Sequence, residues 1–234
     1  MVRRRTLATI AVLGAVKVTA LVCVVRLVRP RYLAWRVTGD EVREPLPGDE
    51  LVPMPHLAAT RAIDITASAD QVWPWIAQMG QGRGGLYSYD ALENLIGCDM
   101  HSADSIVAEW QDVAVGDDFR LHPEVALQVA VVEPGRALVV RGGVGIDDNP
   151  PPFDFAWAFV LEERQDGATR LVVRERYAYT RRWSALMVEP VEAVSFVMSQ
   201  KMVRGIRDRA EGRVGGEGGV GRSEHRPAVG EGLT

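Results

Sequence analysis

The chain has 234 residues, 47% of them hydrophobic and 25% charged, with a formal net charge of -4. That is enough for one domain with appendages and too little for two full ones, and the composition excludes a fibrous or wholly disordered protein. The mild negative charge supplies no field that would steer the chain to nucleic acid, and the two cysteines, Cys23 and Cys98, give no disulfide framework.

In chain order, the first element is an almost wholly apolar run from Leu7 to Val25, interrupted by Lys17. A helix of about 20 such residues spans the ~30 Å of a bilayer core. The run ends in Arg26, Arg29 and Pro30 rather than in a small-x-small cleavage site, which favours a retained anchor over a signal peptide. Arg3, Arg4 and Arg5 precede it, while Arg26, Arg29, Arg31 and Arg36 follow it, a slight excess that points to a cytoplasmic domain on a single-pass cell-membrane protein. Residues 1–36 are thus expected to be a basic start and anchor. Residues 37–59, rich in prolines and acids, read as an extended linker.

The domain is expected over residues 60–211. Arg61–Ile65 alternates as a strand, and Ser68-Ala69-Asp70-Gln71 is a capping box that opens a helix with Val72, Trp73, Ile76 and Met79 on its apolar face. Pro74 is expected to kink that helix or delay its start. The glycine-rich segment Gly80–Gly85 turns the chain into a second helix over about 89–96. Short strands follow at 118–121, 127–132 and 137–141, then two longer ones at 153–163 and 170–179 around Gln165-Asp166-Gly167, a hairpin signal. Glu189-Pro190 is expected to open a long helix with Val191, Val194, Met198, Met202 and Ile206 on its apolar face. Residues 212–234 are rich in glycine and poor in apolar side chains, the composition of a disordered tail. The resulting class is α+β, with an antiparallel sheet whose concave face must be buried by the last helix, leaving an apolar space between them.

The run Val72-Trp73-Pro74-Trp75-Ile76-Ala77-Gln78-Met79-Gly80-Gln81-Gly82-Arg83-Gly84-Gly85-Leu86-Tyr87-Ser88-Tyr89-Asp90, with Leu92-Glu93-Asn94 and His101-Ser102-Ala103-Asp104, is similar to uncharacterised actinobacterial members of the START-like, helix-grip superfamily (SRPBCC; polyketide cyclase/dehydrase and lipid-transport proteins). Such members also carry a segment like Pro45–Leu51 and an N-terminal hydrophobic region. The resemblance covers residues 40–211 and implies a curved sheet wrapped around the C-terminal helix. It also implies a small hydrophobic ligand or lipid as partner, with no cofactor, and it carries no catalytic signature.

Several side chains are candidates for contact with such a ligand. In the strand Leu171–Tyr177, alternation puts Glu175 on the face of Leu171, Val173 and Tyr177, while Arg170, Arg174 and Arg176 fall on an opposite, solvated face. Phe153, Phe155, Trp157 and Phe159 form an aromatic face on the neighbouring strand. Arg83, Tyr87, Tyr89, Asp90, Glu93 and Asn94 form a dense polar and aromatic cluster. Asp90 and Glu93 share a helix face and could serve as acid and base if one were desolvated, while the favoured expectation is that Asp90 caps the second helix and Glu93 is solvated or paired with an arginine. His101 and Asp104 are spaced to share a hydrogen bond. Gly80-x-Gly82-x-x-Gly85 matches a dinucleotide fingerprint in form only, because a helix precedes it; it reads as a turn, with gating of the cavity mouth as its functional version. The expected ligand contacts are therefore Trp73, Arg83, Tyr87, Tyr89, Glu93, His101, Phe155, Trp157, Glu175, Tyr177 and Met198, with no metal set among the histidines and cysteines. Two functions stay open at this point: a non-catalytic membrane-anchored carrier, and an enzyme of cyclase or dehydratase type acting on a polyketide-like substrate.

Overall fold

The computed structural model describes residues 29–143 and 151–214. The apolar run Leu7–Val25 and the glycine-rich tail from 215 onward lie outside the described residues, and so do the expectations of an anchor and a disordered tail. Among the described residues no helix is long and apolar enough to cross a membrane.

The elements are β1 (Ala34–Trp35), α1 (Gly39–Arg43), β2 (Leu57–Ile65), α2 (Ala69–Ala77), α3 (Asp90–Leu95), β3 (Asp118–His122), β4 (Val125–Glu133), β5 (Ala137–Gly142), β6 (Phe153–Glu163), β7 (Thr169–Tyr179) and α4 (Ser184–Ala210). The seven strands form one sheet in the order β1-β2-β7-β6-β5-β4-β3. Every neighbouring pair is antiparallel except β1 and β2, which run parallel, so the sheet is not uniformly antiparallel as the sequence suggested. The register shifts within β3–β4 and within β4–β5. Such irregularities bend strands and increase twist, which opens space over that end of the sheet.

One face of the sheet packs on α2 and α4 through Ile63, Ile65, Phe159, Val173, Met202 and Ile206. The capping box forms as expected, with Ser68 and Gln71 bonded reciprocally, and α2 runs through Pro74 rather than starting after it. Gly205 lets α4 pass directly over the turn before α3: a Cβ there would stand 2.3 Å from the Tyr87 carbonyl oxygen and 2.8 Å from its Cβ. Gly205→Ala is therefore expected to lower the unfolding free energy by about 2 kcal/mol or more despite alanine's better helix propensity, as read by urea denaturation.

The other face differs most from the sequence reading. Residues 37–59 are not an extended linker; they form a strap across the sheet, with Leu46 and Val52 buried. Leu46 packs on Ala62, Val139, Ala158, Val160 and Val172. The three arginines of β7 read as solvated are instead held under this strap. Arg174 donates to Asp49 (2.7 Å) and to the carbonyls of Glu41, Val42 and Glu44. Arg170 bonds Glu41 and Asp64, and Arg176 donates to the Val52 carbonyl. The acids that made the segment look like a linker are the partners that fix it.

The last helix opens at Ser184, not at Pro190, which lies inside it. Proline has no N–H to donate to the Leu186 carbonyl, and Leu186 is exposed, so that carbonyl is left to water. Val191 and Val194, expected on the core face, are more than half exposed because this first part of α4 stands off the sheet.

Candidate functional site

Where α4 stands off, an apolar cavity of ≈ 550 Å³ opens between the sheet, α3 and α4. Its floor is the alternating face of β6, with Phe153, Phe155 and Trp157, continued by Tyr177 of β7. Phe155 and Tyr177 lie with ring centroids 4.6 Å apart. Met100, Met187, Met198 and Met202 line other walls, and their flexible thioethers let such a space adapt to its contents. Ile96, Val191 and Val194 line the cavity while remaining exposed, and so form its mouth.

A buried polar cluster sits at one side. Glu175 faces inward, as the alternation of β7 predicts, and is only 2% exposed. Its carboxylate accepts from Arg61 Nη1 (2.6 Å), Ser199 Oγ (3.1 Å), Tyr177 Oη (3.2 Å) and Ser195 Oγ (3.3 Å). Arg61 is fully buried, and its other terminal nitrogen reaches Glu192 Oε1 at 3.4 Å. The Glu192 Oε2 and Arg61 Nε atoms have no partner. Burial pushes the Tyr177 hydroxyl well above its usual range, helped by the Glu175 charge. Burial likewise raises Glu192 to about 7, outweighing the opposing pull of Arg61.

A second carboxyl lines the cavity from α3. Glu93 is buried, and neither of its oxygens has a hydrogen-bond partner, so it is neither solvated nor paired with an arginine as the sequence suggested. Desolvation, then the charge of Asp90, raises it to about 7. Asp90 itself caps nothing; it accepts from the Ser102 backbone N–H (2.8 Å) and Oγ (2.7 Å), tying α3 to the following loop. Cys98, beside Glu93, is a buried free thiol pushed up by burial and by Glu93, so it is a poor nucleophile.

A carboxyl raised in the folded state binds more protons there than in the unfolded chain, so its contribution to stability is lost as pH rises toward and through the folded value. For Glu93 that window runs from the ordinary 4.5 to about 7. Glu93→Gln is expected to gain on the order of 1–2 kcal/mol over wild type at pH 8 and almost nothing at pH 5, in urea unfolding at the two pH values.

Of the residues expected to meet a ligand, Glu93, Phe155, Trp157, Glu175, Tyr177 and Met198 line the cavity. Trp73, Arg83, Tyr87, Tyr89 and His101 do not. Trp73 is partly buried against the core, and Trp75 is the tryptophan of α2 that packs edge-on to Tyr87. Arg83 donates to the carbonyls of Ala77 and Trp110, pinning the glycine turn. Tyr87 is buried, accepts from Gln78 and donates to the Trp75 carbonyl. Tyr89 precedes α3 and is exposed. His101 is exposed beside Asp99 (3.1 Å), while Asp104 pairs with Arg209, so the His101–Asp104 contact does not form. None of residues 80–85 lines the cavity; Gly80 and Gly85 bridge each other, and a Cβ on Gly84 would meet Gln78 and the Tyr87 hydroxyl at 2.8 Å.

The sequence reading passed over Arg61 and Glu192. Both carried the signal that singled out Glu175. Arg61 alternates with Ile63 and Ile65 on β2, and Glu192 shares a helical stripe with Val188, Ser195 and Ser199.

No protein-family model matches the chain, and no curated protein matches it. Solved structures are similar at low identity. NE0264 from Nitrosomonas europaea matches with a TM-score of 0.44 and 11% identity, over 73% of this chain and 99% of that one. CalU16 from Micromonospora echinospora gives a TM-score of 0.32 and 19% identity, over 66% of this chain and 84% of that one. DynU16, of the dynemicin biosynthetic locus, gives a TM-score of 0.37 and 18% identity over 63% of this chain, and the match spans only 46% of DynU16.

Proposed function

We propose that the protein is a START-like binding protein for a small hydrophobic ligand, held at the cytoplasmic face of a membrane by its N-terminal apolar run. The observation that carries this reading is the ≈ 550 Å³ cavity, walled by aromatic and methionine side chains and open at an apolar mouth. A cavity of that size and lining suits a drug-sized or lipid-sized apolar molecule. The position of the chain just after the apolar run supports the tether. Arg29 pairs with Glu189 (3.2 Å), and the Tyr32 ring lies 5.6 Å from that of Phe196. Arg29 and Tyr32, a few residues after the run, thus lie alongside α4, the helix that borders the mouth.

A carrier fits the polar cluster better than an enzyme does, because the Glu175 carboxylate is already occupied by Arg61, Tyr177, Ser195 and Ser199. One observation favours the second reading, an enzyme of cyclase or dehydratase type on a polyketide-like substrate. Glu192 is buried against the cavity with one oxygen unpartnered and a proton held up to about 7, as a general acid needs. Native mass spectrometry of the full chain, followed by organic extraction, tests the binding reading. A stoichiometric apolar molecule is expected. An empty chain that also fails to take up an apolar fluorophore would refute it, and turnover of the extracted molecule that Glu192→Gln abolishes would establish the enzyme.

A further inference from the structure

The charges that face the cavity are all of one sign. Glu93, Glu175 and Glu192 line it, and among the described residues no arginine, lysine or histidine does. Arg61 stands behind the lining and is committed to Glu175 and Glu192. A carboxylate ligand would have to enter beside these acids without a free cation, which low-dielectric surroundings make costly. Glu93 has the opposite need. It is 3% exposed, both oxygens lack partners, and the charge that acts on it is that of Asp90, which Ser102 already occupies. The same cavity presents the rings of Phe153, Phe155, Trp157 and Tyr177, whose faces attract cations.

We propose that the cavity selects a cationic amphiphile, an apolar body ending in a protonated amine, with Glu93 as the carboxylate that receives the amine. This inference rests on the hydrophobic-ligand reading above and adds the ligand's charge. An ammonium group would supply the donors that both Glu93 oxygens lack and would offset the buried negative charge. The groups that share the cavity with Glu93 are Cys98 next to it, Glu175 and Tyr177 from β7, and Glu192 from α4; none is basic. Because burial and Asp90 hold the Glu93 proton to about 7, amine binding should strengthen as pH rises through that value, while the amine remains charged.

The test is methyl NMR of the full chain labelled at its methionines, since Met100, Met187, Met198 and Met202 report from the cavity walls. Dodecylamine, dodecanol and dodecanoate are titrated separately, below their micellar concentrations, at pH 8 and pH 5.5. At pH 8 the amine is expected to bind about tenfold or more tighter than the alcohol, with dodecanoate weakest. At pH 5.5 the advantage over the alcohol should shrink about tenfold. Glu93→Gln should abolish that advantage, and the methionine methyl spectrum of the ligand-free variant, matching wild type outside the cavity, verifies its fold. Dodecanoate binding as tightly as the amine would overturn the proposal, as would an amine preference that survives in Glu93→Gln. Equal binding of amine and alcohol would overturn the charge selection alone. If none of the three moves the cavity methyls, the hydrophobic-ligand reading falls with it.

Discussion

Replacing Arg61 with methionine is expected to destabilise the fold by about 3–5 kcal/mol at pH 8, the largest effect of any single substitution considered. Methionine fills much of the same volume, so the loss is electrostatic rather than a cavity cost. It would leave Glu175 and Glu192 facing each other in an apolar interior, with the hydroxyls of Ser195, Ser199 and Tyr177 as the remaining donors to Glu175. Glu192, already raised to about 7 against the pull of Arg61, would lose that opposing charge, so the penalty should shrink as pH falls and Glu192 takes up its proton. The sign follows from linkage: the folded variant would bind more protons than its unfolded chain, and stability would fall with rising pH. Urea unfolding of Arg61→Met across pH 5–8 measures this directly. Adding Glu175→Gln and Glu192→Gln should recover most of the loss, because an apolar or neutral replacement of a whole buried ion cluster costs far less than breaking it. A pH-independent penalty that the added substitutions do not relieve would mean that Arg61 acts through packing alone.

Arg174→Ala is the second large effect, and it acts on the opposite face. The guanidinium joins β7 to the strap through Asp49 and three backbone carbonyls, and its Nε bonds Thr60 on β2. Removing it leaves those carbonyls without their donor where water has limited access, and leaves Arg176 (3.1 Å) as the remaining cation at Asp49. A cost of about 3 kcal/mol is expected, with a more specific signature alongside it. Backbone amides of residues 37–53 should lose hydrogen-exchange protection ahead of the rest of the domain, and protease should cut first within the strap. If the protein instead loses protection uniformly, the strap is part of one cooperative unit with the sheet.

These two arginines also mark what the sequence made legible and what it hid. The two-residue alternation of β7 put Glu175 inside correctly, because a strand has only two faces and Leu171 and Val173 identify the inner one. The same rule placed Arg174 and Arg176 outside the core correctly, but outside did not mean solvated. Nothing local in a segment with Pro45, Pro47, Pro53 and Pro55 announces that it will lie down on a sheet, since its contacts come from strands far along the chain. The aromatic face of β6 and the capping of α2 were legible because both depend on neighbours within a few residues. Glu93 was misplaced for a similar, non-local reason. Asp90 and Glu93 share a helix face by spacing, yet Ser102 draws Asp90 into the loop, and the position of α4 decides that Glu93 is enclosed.

The ion pair between Arg61 and Glu175 spans 114 positions of sequence and crosses from β2 to β7, the two strands through which the beginning and end of the domain meet. Pairing across so long a loop is late and slow to search, and neighbouring registers would offer much the same backbone bonding. A slip of one residue would turn Arg61 to the face beneath Leu46 and Val52, away from both carboxylates, and leave Glu175 and Glu192 uncompensated. A slip of two would keep it inside but carry it about 7 Å along the strand, beyond reach of Glu175. The buried arginine thus acts as a proofreading contact during folding, making only one alignment of the chain's two ends electrostatically tolerable.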